Sequence, residues 1–194
     1  MADSAARALE PMTVAQFLAF CETLPDGEKW ELHDGRPVMM VGGSAGHSII
    51  ANNLARALYE PARGRNCRPI TGFLVQANES SLFEPDVAIL CGPIDPESHV
   101  SGEPRAVFEV LSPSTMRFDR ILNFERYRAM PSVEQIVFIY QEQIRIESYL
   151  RRGDEWMDAP IIITGTLASL SVPTVGASIS IADIYDGLDH LLRG

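Results

Sequence analysis

Lysine is almost missing from this chain. Of its 16 basic residues only one, Lys29, is a lysine, so a mechanism that demands a catalytic ammonium has one candidate. Cysteine is scarce as well. Cys21, Cys67 and Cys91 lie far apart, and an odd, sparse set without CxxC spacing argues against both a disulfide framework and a zinc site. The expectation is three reduced thiols in a cytoplasmic protein. Long apolar runs are absent, none nearing the ~20 residues of a membrane span. Arg7 is followed by no apolar stretch, unlike a secretory signal. Aromatic residues make up 8% of the chain, with no stripe of them on which bases could stack. Positive charge is outnumbered, and the formal net charge is −10. That argues against broad non-specific DNA binding, which needs a basic surface. It leaves room for a metal-dependent nuclease, whose site is itself built from carboxylates.

What is present is ordinary for a globular domain: 194 residues, 46% apolar and 22% charged. A chain of this size holds one core without a disulfide or structural metal. Residues 1–11 read as a flexible tail and 12–194 as a single domain. Thr13-x-x-Gln16 is a capping-box signature, and Val14, Phe17, Leu18 and Cys21 then recur at helical spacing. Trp30–Leu32 and Pro37–Val41 flank Asp34-Gly35, a strong hairpin signal. A helix is predicted over 46–62, with His47, Ile50, Ala51, Leu54 and Leu58 on one face. Strands are predicted at 69–76, 84–91 and 105–111, with a loop over 92–104. Ser112–Thr115 then caps a helix over 115–130. Val133–Tyr140 and Ile144–Leu150 read as a strand hairpin, followed by short strands and a small helix near 181–192. The order suits an α+β or mixed α/β sheet domain.

Two carboxylates stand out. In the segment RAVFEVL (105–111) both faces of the strand are apolar, the mark of a central strand. Glu109 therefore points into an apolar setting, where an ionised carboxylate is costly unless paired or bound to metal. Its structural reading is a strand-end acid paired with an arginine. Asp86 opens the apolar strand PDVAILC and, taken alone, reads as a cap or turn residue. If the two strands pair, both acids converge on one side of the sheet. Hard cations such as Mg²⁺ take one or two protein carboxylates plus water and phosphate, and such a centre serves phosphoryl transfer.

Through WELHDG (30–35), GH with its following helix (46–58), FEPDVAIL and CGPID (83–95) and VFEVLSPST (107–115), the chain resembles the Uma-type restriction endonuclease family. FDR, ERYR and MPSVEQIVFI (118–139) and the C-terminal ISIADIYDGL extend the resemblance over nearly all residues beyond 11. That family has the restriction-endonuclease-like fold of the PD-(D/E)xK superfamily. The resemblance implies an αβββαβ core with an N-terminal helix and hairpin and C-terminal strand additions. It implies a centre for Mg²⁺ or Mn²⁺ at Asp86 and Glu109, with Glu31 as a third acid. It also implies hydrolysis of DNA phosphodiester bonds by metal-activated water. A homodimer would suit a reaction on two strands.

The superfamily pattern asks for a lysine two residues after the Glu, where this chain has Leu111. In this family the lysine commonly stands four residues after the Asp of the (Y/F)DR motif, and here that residue is Asn123. Asp119, Asn123 and Tyr127 share a helix face, so the geometry is kept and the charge is not. Lys29, Arg120 and Arg117 are candidates for supplying it. His47 reads either as a buried hydrogen-bonding residue or as a neighbour of the site. The arginines at 117, 120, 126 and 128, and those at 63, 65 and 68, read as phosphate contacts or as solvated charge. Gly42–Gly46 lacks the Gly-Lys-Ser/Thr ending of a P-loop, which excludes an NTPase. Two other classes stay open: a family member without catalysis that acts as a binding or assembly module, and a two-acid glycosidase.

Overall fold

The computed structural model describes residues 10–40, 42–112 and 116–192, with 116–119 as backbone only. The tail expected up to residue 11, the hairpin end at Val41, the cap at 112–115 and the side chains of Arg117 and Asp119 fall wholly or partly outside the described residues.

Helix α1 (Val14–Cys21) begins at the Thr13/Gln16 capping box. Strands β1 (Trp30–His33) and β2 (Arg36–Met39) form the hairpin. Asp34 and Gly35 both take positive φ, 49° and 80°, the geometry that an Asp-Gly turn supplies. Helix α2 (Ala45–Arg63) follows, with Ile50, Leu54, Leu58 and Ala62 buried on one face. Next come β3 (Cys67–Ile70), β4 (Leu74–Asn78), β5 (Ser81–Phe83), β6 (Val87–Cys91), the short β7 (Val100–Ser101) and β8 (Ala106–Leu111). Helix α3 (Met116–Arg128) leads to β9 (Gln135–Tyr140) and β10 (Arg145–Arg152). The chain continues through β11 (Glu155–Trp156), β12 (Ile161–Thr164), β13 (Ser169–Val172) and β14 (Ala177–Ser180). It ends in two helical turns, α4 (Ile181–Ile184) and α5 (Asp189–Leu192).

The main sheet runs β11-β10-β9-β8-β6-β3, with β12 also on β10. Its central strands β6, β8 and β9 are apolar on both faces because both faces are covered. On one face lie α2, the β13–β14 hairpin and α4, around Leu54, Phe108, Val137 and Tyr185. On the other, α3 and the second sheet (β2-β1-β5-β4-β7) close a core of Phe83, Val107, Tyr127 and Phe138. Strand β5 shows the alternation: Phe83 points into that core, while Leu82 joins Phe17 of α1 and Leu32 beyond the second sheet. Strands β8 and β9 are parallel and joined through α3, so that helix crosses the sheet above them.

This is the mixed α and β architecture expected, with four local differences. The strand predicted over 69–76 divides between two sheets, because Gly72 at φ +65° turns the chain between β3 and β4. The strand predicted over 84–91 is shorter, since Glu84–Asp86 lie outside any strand. Phe83 ends β5, Val87 begins β6, and Asp86 lies in the bend between them. The loop at 92–104 contributes β7 to the second sheet. The single C-terminal helix is two turns, with Gly187 at φ +84° between them.

The reading of three reduced cysteines is corrected. Cys67 and Cys91 form a disulfide between partnered residues of β3 and β6, with Cα atoms 3.9 Å apart. Gly92 N–H donates to Asn66 C=O (2.9 Å), which leaves Cys67 and Cys91 as a non-hydrogen-bonded pair, the kind with the closest side chains. A separation of 24 residues carries no trace of this; only strand register creates it. Alkylation of the denatured, unreduced protein is therefore expected to add one group, at Cys21, and after reduction three. Three groups without reductant, read by intact mass, would refute the disulfide.

Candidate functional site

Asp86 and Glu109 are brought together by register. The β6–β8 ladder pairs Val87 with Phe108, and its next step sets Asp86 opposite Glu109. Directly opposed residues share a face, here the face covered by α3. The Asp86 carboxylate is fixed at one oxygen: Oδ2 accepts the Val110 N–H (2.7 Å) and faces His47 Nε2 at 3.2 Å. His47 arrives from the first turn of α2, whose N-cap, the Ser44 hydroxyl, accepts the His47 N–H (3.2 Å). A side chain on Gly43 would stand 2.7 Å from His47 Nδ1. The glycine-rich segment thus gives clearance to an imidazole. The His47 pKa is raised: its hydrogen bond to Asp86 outweighs the opposing effect of burial, and the Asp86 charge adds to it.

Glu109 is held from above by α3. Its Oε1 accepts the Tyr127 hydroxyl (2.6 Å) and lies 3.4 Å from Asn123 Nδ2. Asn123 and Tyr127 are one helical turn apart, so both reach the same carboxylate. Burial pushes the Tyr127 phenol well above its ordinary value, and the charge and hydrogen bond of Glu109 push further. The charges of Glu31 and Asp86 act in the same direction. The Tyr127 hydroxyl is thus buried against Glu109, and the charges of all three acids named from the sequence disfavour its ionisation.

Glu31 is placed differently from the other two. Its Oε1 accepts the Glu84 backbone N–H (2.8 Å) and its Oε2 meets His33 Nε2 at 2.6 Å. Both oxygens are engaged, one of them on the segment that leads into Asp86. Lys29 pairs with Glu84 and keeps 59% of its side chain exposed, as expected of a surface lysine. Arg120 does not face Glu109. Its Nε donates to Glu147 Oε2 (2.8 Å) and one terminal amine to Tyr149 (3.3 Å).

Several contributors escaped the sequence reading. Tyr127 was visible as a face-mate of Asn123 but not as the ligand of Glu109. His33 is two residues from Glu31, the spacing that puts both on one side of a strand, and that spacing was the available signal. Glu147 carried no signal. It pairs across β10 and β9 with Phe138, which pairs with Glu109, so the two acids lie two strand spacings apart, about 10 Å, on one face.

Among the described residues no three His, Cys, Asp or Glu side chains form a group that could hold a metal ion. The donor set offered is two carboxylates, which fits a hard divalent cation whose remaining positions are filled by water and phosphate. Among the described residues, no helix is long and apolar enough to cross a membrane.

Comparison with known proteins bears on the whole chain. The model of the Uma2 family, described as "Putative restriction endonuclease", matches residues 14–182. The uncharacterized protein slr1290 of Synechocystis sp. (strain ATCC 27184 / PCC 6803 / Kazusa) is 31% identical over 165 residues, covering 83% of this chain and 85% of that protein. A second uncharacterized protein of that strain, sll1609, is 30% identical over 152 residues, covering 75% of this chain and 85% of its own length. The crystal structure of a "putative nuclease belonging to DUF820" from Anabaena variabilis ATCC 29413 superposes with a TM-score of 0.72 at 17% identity, covering 90% of this chain and 98% of that one. The last likeness is one of fold, and it agrees with a restriction-endonuclease-like architecture. The acid-bearing strands, the α3 helix above them and the family match point the same way: this chain is a member of the Uma2 family of restriction-endonuclease-like proteins.

Proposed function

We propose that this protein hydrolyses DNA phosphodiester bonds in a reaction that depends on Mg²⁺ or Mn²⁺ at Asp86 and Glu109. The observation that carries the reading is that the Asp86 carboxylate accepts the N–H of Val110, the residue after Glu109, while Glu109 accepts the Tyr127 hydroxyl. A divalent cation held by these two acids would supply Lewis-acid activation of water and would neutralise charge on the phosphate oxygens.

The chain's own groups hold that centre in shape. Val110 N–H and His47 fix one oxygen of Asp86 and leave the other to point elsewhere. The Tyr127 hydroxyl orients Glu109 as a donor whose ionisation burial and the neighbouring carboxylates disfavour. Glu31 acts as a brace, since its bond to Glu84 N–H ties β1 to the bend that presents Asp86. Asn123 stands where the family commonly has lysine, and its amide orients without charge. The alternative, a family member that only binds or assembles, draws its support from that same residue. Cutting both strands is simplest with two copies, so a homodimer belongs to the proposal and is read from the mass in solution.

The test is cleavage of supercoiled plasmid and of single-stranded DNA with Mg²⁺, Mn²⁺ or EDTA. Asp86→Ala and Glu109→Ala proteins purified in parallel control for contaminating nuclease. Cleavage that needs metal and disappears in both variants is the expected result. No cleavage by the wild type, with activity appearing only in Asn123→Lys, would overturn it in favour of the binding module.

A further inference from the structure

Arg126 is tied to the acid pair by a route that sequence did not reveal. The Asn123 amide is engaged on both sides: Nδ2 faces Glu109 Oε1 at 3.4 Å, and Oδ1 faces a terminal guanidinium nitrogen of Arg126 at 3.5 Å. That guanidinium lies over the Phe83 ring, 4.4 Å from its centroid. Phe83 in turn meets Tyr127 and His33 edge-on, the two residues that bond Glu109 and Glu31. Stacking fixes the plane of a guanidinium and leaves its N–H groups directed outward from the ring edge.

The way Arg126 is paired sets it apart from its neighbours. Arg120 and Arg145 hold Glu147 at 2.8 and 2.9 Å. Lys29 is in close contact with Glu84. Among the described residues the ion pair of Arg126 is to Asp34, at 3.9 Å, and that carboxylate is 80% exposed. Arg126 itself keeps 15% of its side chain exposed. A mostly buried cation, one residue removed from Glu109 through Asn123, with five N–H donors and no close ion pair among the described residues, is poised for an incoming anion. A phosphate oxygen pair matches a guanidinium fork, which gives strong, oriented hydrogen bonds.

We propose that Arg126 is the phosphate-contacting cation of this site, filling from a neighbouring position on α3 the electrostatic role for which Asn123 has no charge. The inference rests on the nuclease reading for the identity of the anion, and its test separates the two. Arg126→Leu keeps an apolar side chain against Phe83, and its urea midpoint reports that the fold is intact.

The first measurement follows arginine Nε–Hε cross-peaks in ¹⁵N-labelled protein titrated with thymidine 3′,5′-bisphosphate in EDTA. The Arg126 signal is assigned by its loss in Arg126→Lys. It is expected to shift with saturation; a signal that stays still up to millimolar ligand overturns the proposal. The second measures affinity for a fluorescein-labelled single-stranded oligonucleotide, also without metal. Arg126→Leu is expected to weaken binding by about tenfold, the effect of one charge-assisted contact. Asn123→Lys added to Arg126→Leu is expected to restore binding to within about threefold, because one cation replaces another. Unchanged binding in Arg126→Leu, or a double variant no better than it, defeats the proposal. A wild type that binds through Arg126 yet never cleaves would defeat the nuclease reading alone. Cleavage that Arg126→Leu leaves untouched would defeat this inference alone.

Discussion

Asp86→Ala and Glu109→Ala are each expected to lower Mn²⁺ affinity by at least about 100-fold, beyond the 10–100-fold typical of losing an outer hydrogen-bond partner of a metal ligand. The reason is the donor set. In the proposed centre the carboxylates of Asp86 and Glu109 are the hard oxygens, and among the described residues no larger group of acids and histidines stands in reserve. Glu31→Gln is expected to stay within about threefold of wild type in Mn²⁺ affinity. Both oxygens of Glu31 already serve Glu84 N–H and His33, and a glutamine carbonyl still accepts the backbone bond. Tyr127→Phe belongs between these limits, at about tenfold, because it removes an orienting bond from Glu109 and leaves the carboxylate. Titration calorimetry orders the four variants. Equal losses for Glu31, Asp86 and Glu109 would make Glu31 a ligand. No loss for any of them would remove the metal centre from this face of the sheet.

Replacing Glu147 is expected to produce the largest change in stability outside the apolar core. Its side chain is 3% exposed, and it gathers Arg120, Arg145 and the Tyr140 hydroxyl, the last at 2.9 Å. Burial alone would raise the Glu147 pKa, but the bonds from Arg145 and Tyr140, with the charge and bond of Arg120, outweigh it and the net shift is downward. Removing one member of a buried ion pair costs about 3–5 kcal/mol. Here Arg120 and Arg145 are each about a third exposed and water solvates part of the charge left behind, so about 2–3 kcal/mol is expected for Glu147→Gln. Urea denaturation at pH 7 reads this as a lower midpoint with an unchanged slope.

The pH dependence has a definite sign. A carboxylate whose folded pKa is depressed stabilises the protein above its unfolded value and loses that effect as pH falls through the folded value. The gap between wild type and Glu147→Gln should therefore be full above pH 4.5, the ordinary value for this group, and narrow below it. A gap that persists unchanged into acid would show that Glu147 acts by packing rather than by charge. Arg120 holds α3 to the sheet through this carboxylate, so the same variant is expected to loosen Asn123 and Tyr127 above Glu109.

Sequence and tertiary structure divided the information unevenly. Local chemistry was legible: the capping box at Thr13, the Asp34-Gly35 turn and the buried face of α2 appear as read. Each depends on residues within a turn or two of one another. The apolar run around Glu109 was enough to identify a central strand, because a strand covered on both faces must be apolar on both, and β8 has neighbours on each side. The division at Gly72 was not legible, since a strand pattern reads the same whether one sheet or two receive it.

The sequence by itself determined the fold class, the family, and two acids, one before and one within an apolar strand. Only the tertiary structure decided what those acids face. Register, a relation between strands far apart in the chain, set Cys67 opposite Cys91 and brought Asp86 to the Val110 N–H beside Glu109. The crossing of α3 over the sheet gave Glu109 its Tyr127, Arg120 its Glu147 and Asn123 its Arg126. Spacing along a chain encodes which side of its own element a residue occupies. The partner on the other side of the gap is chosen by packing, and no local pattern carries that choice.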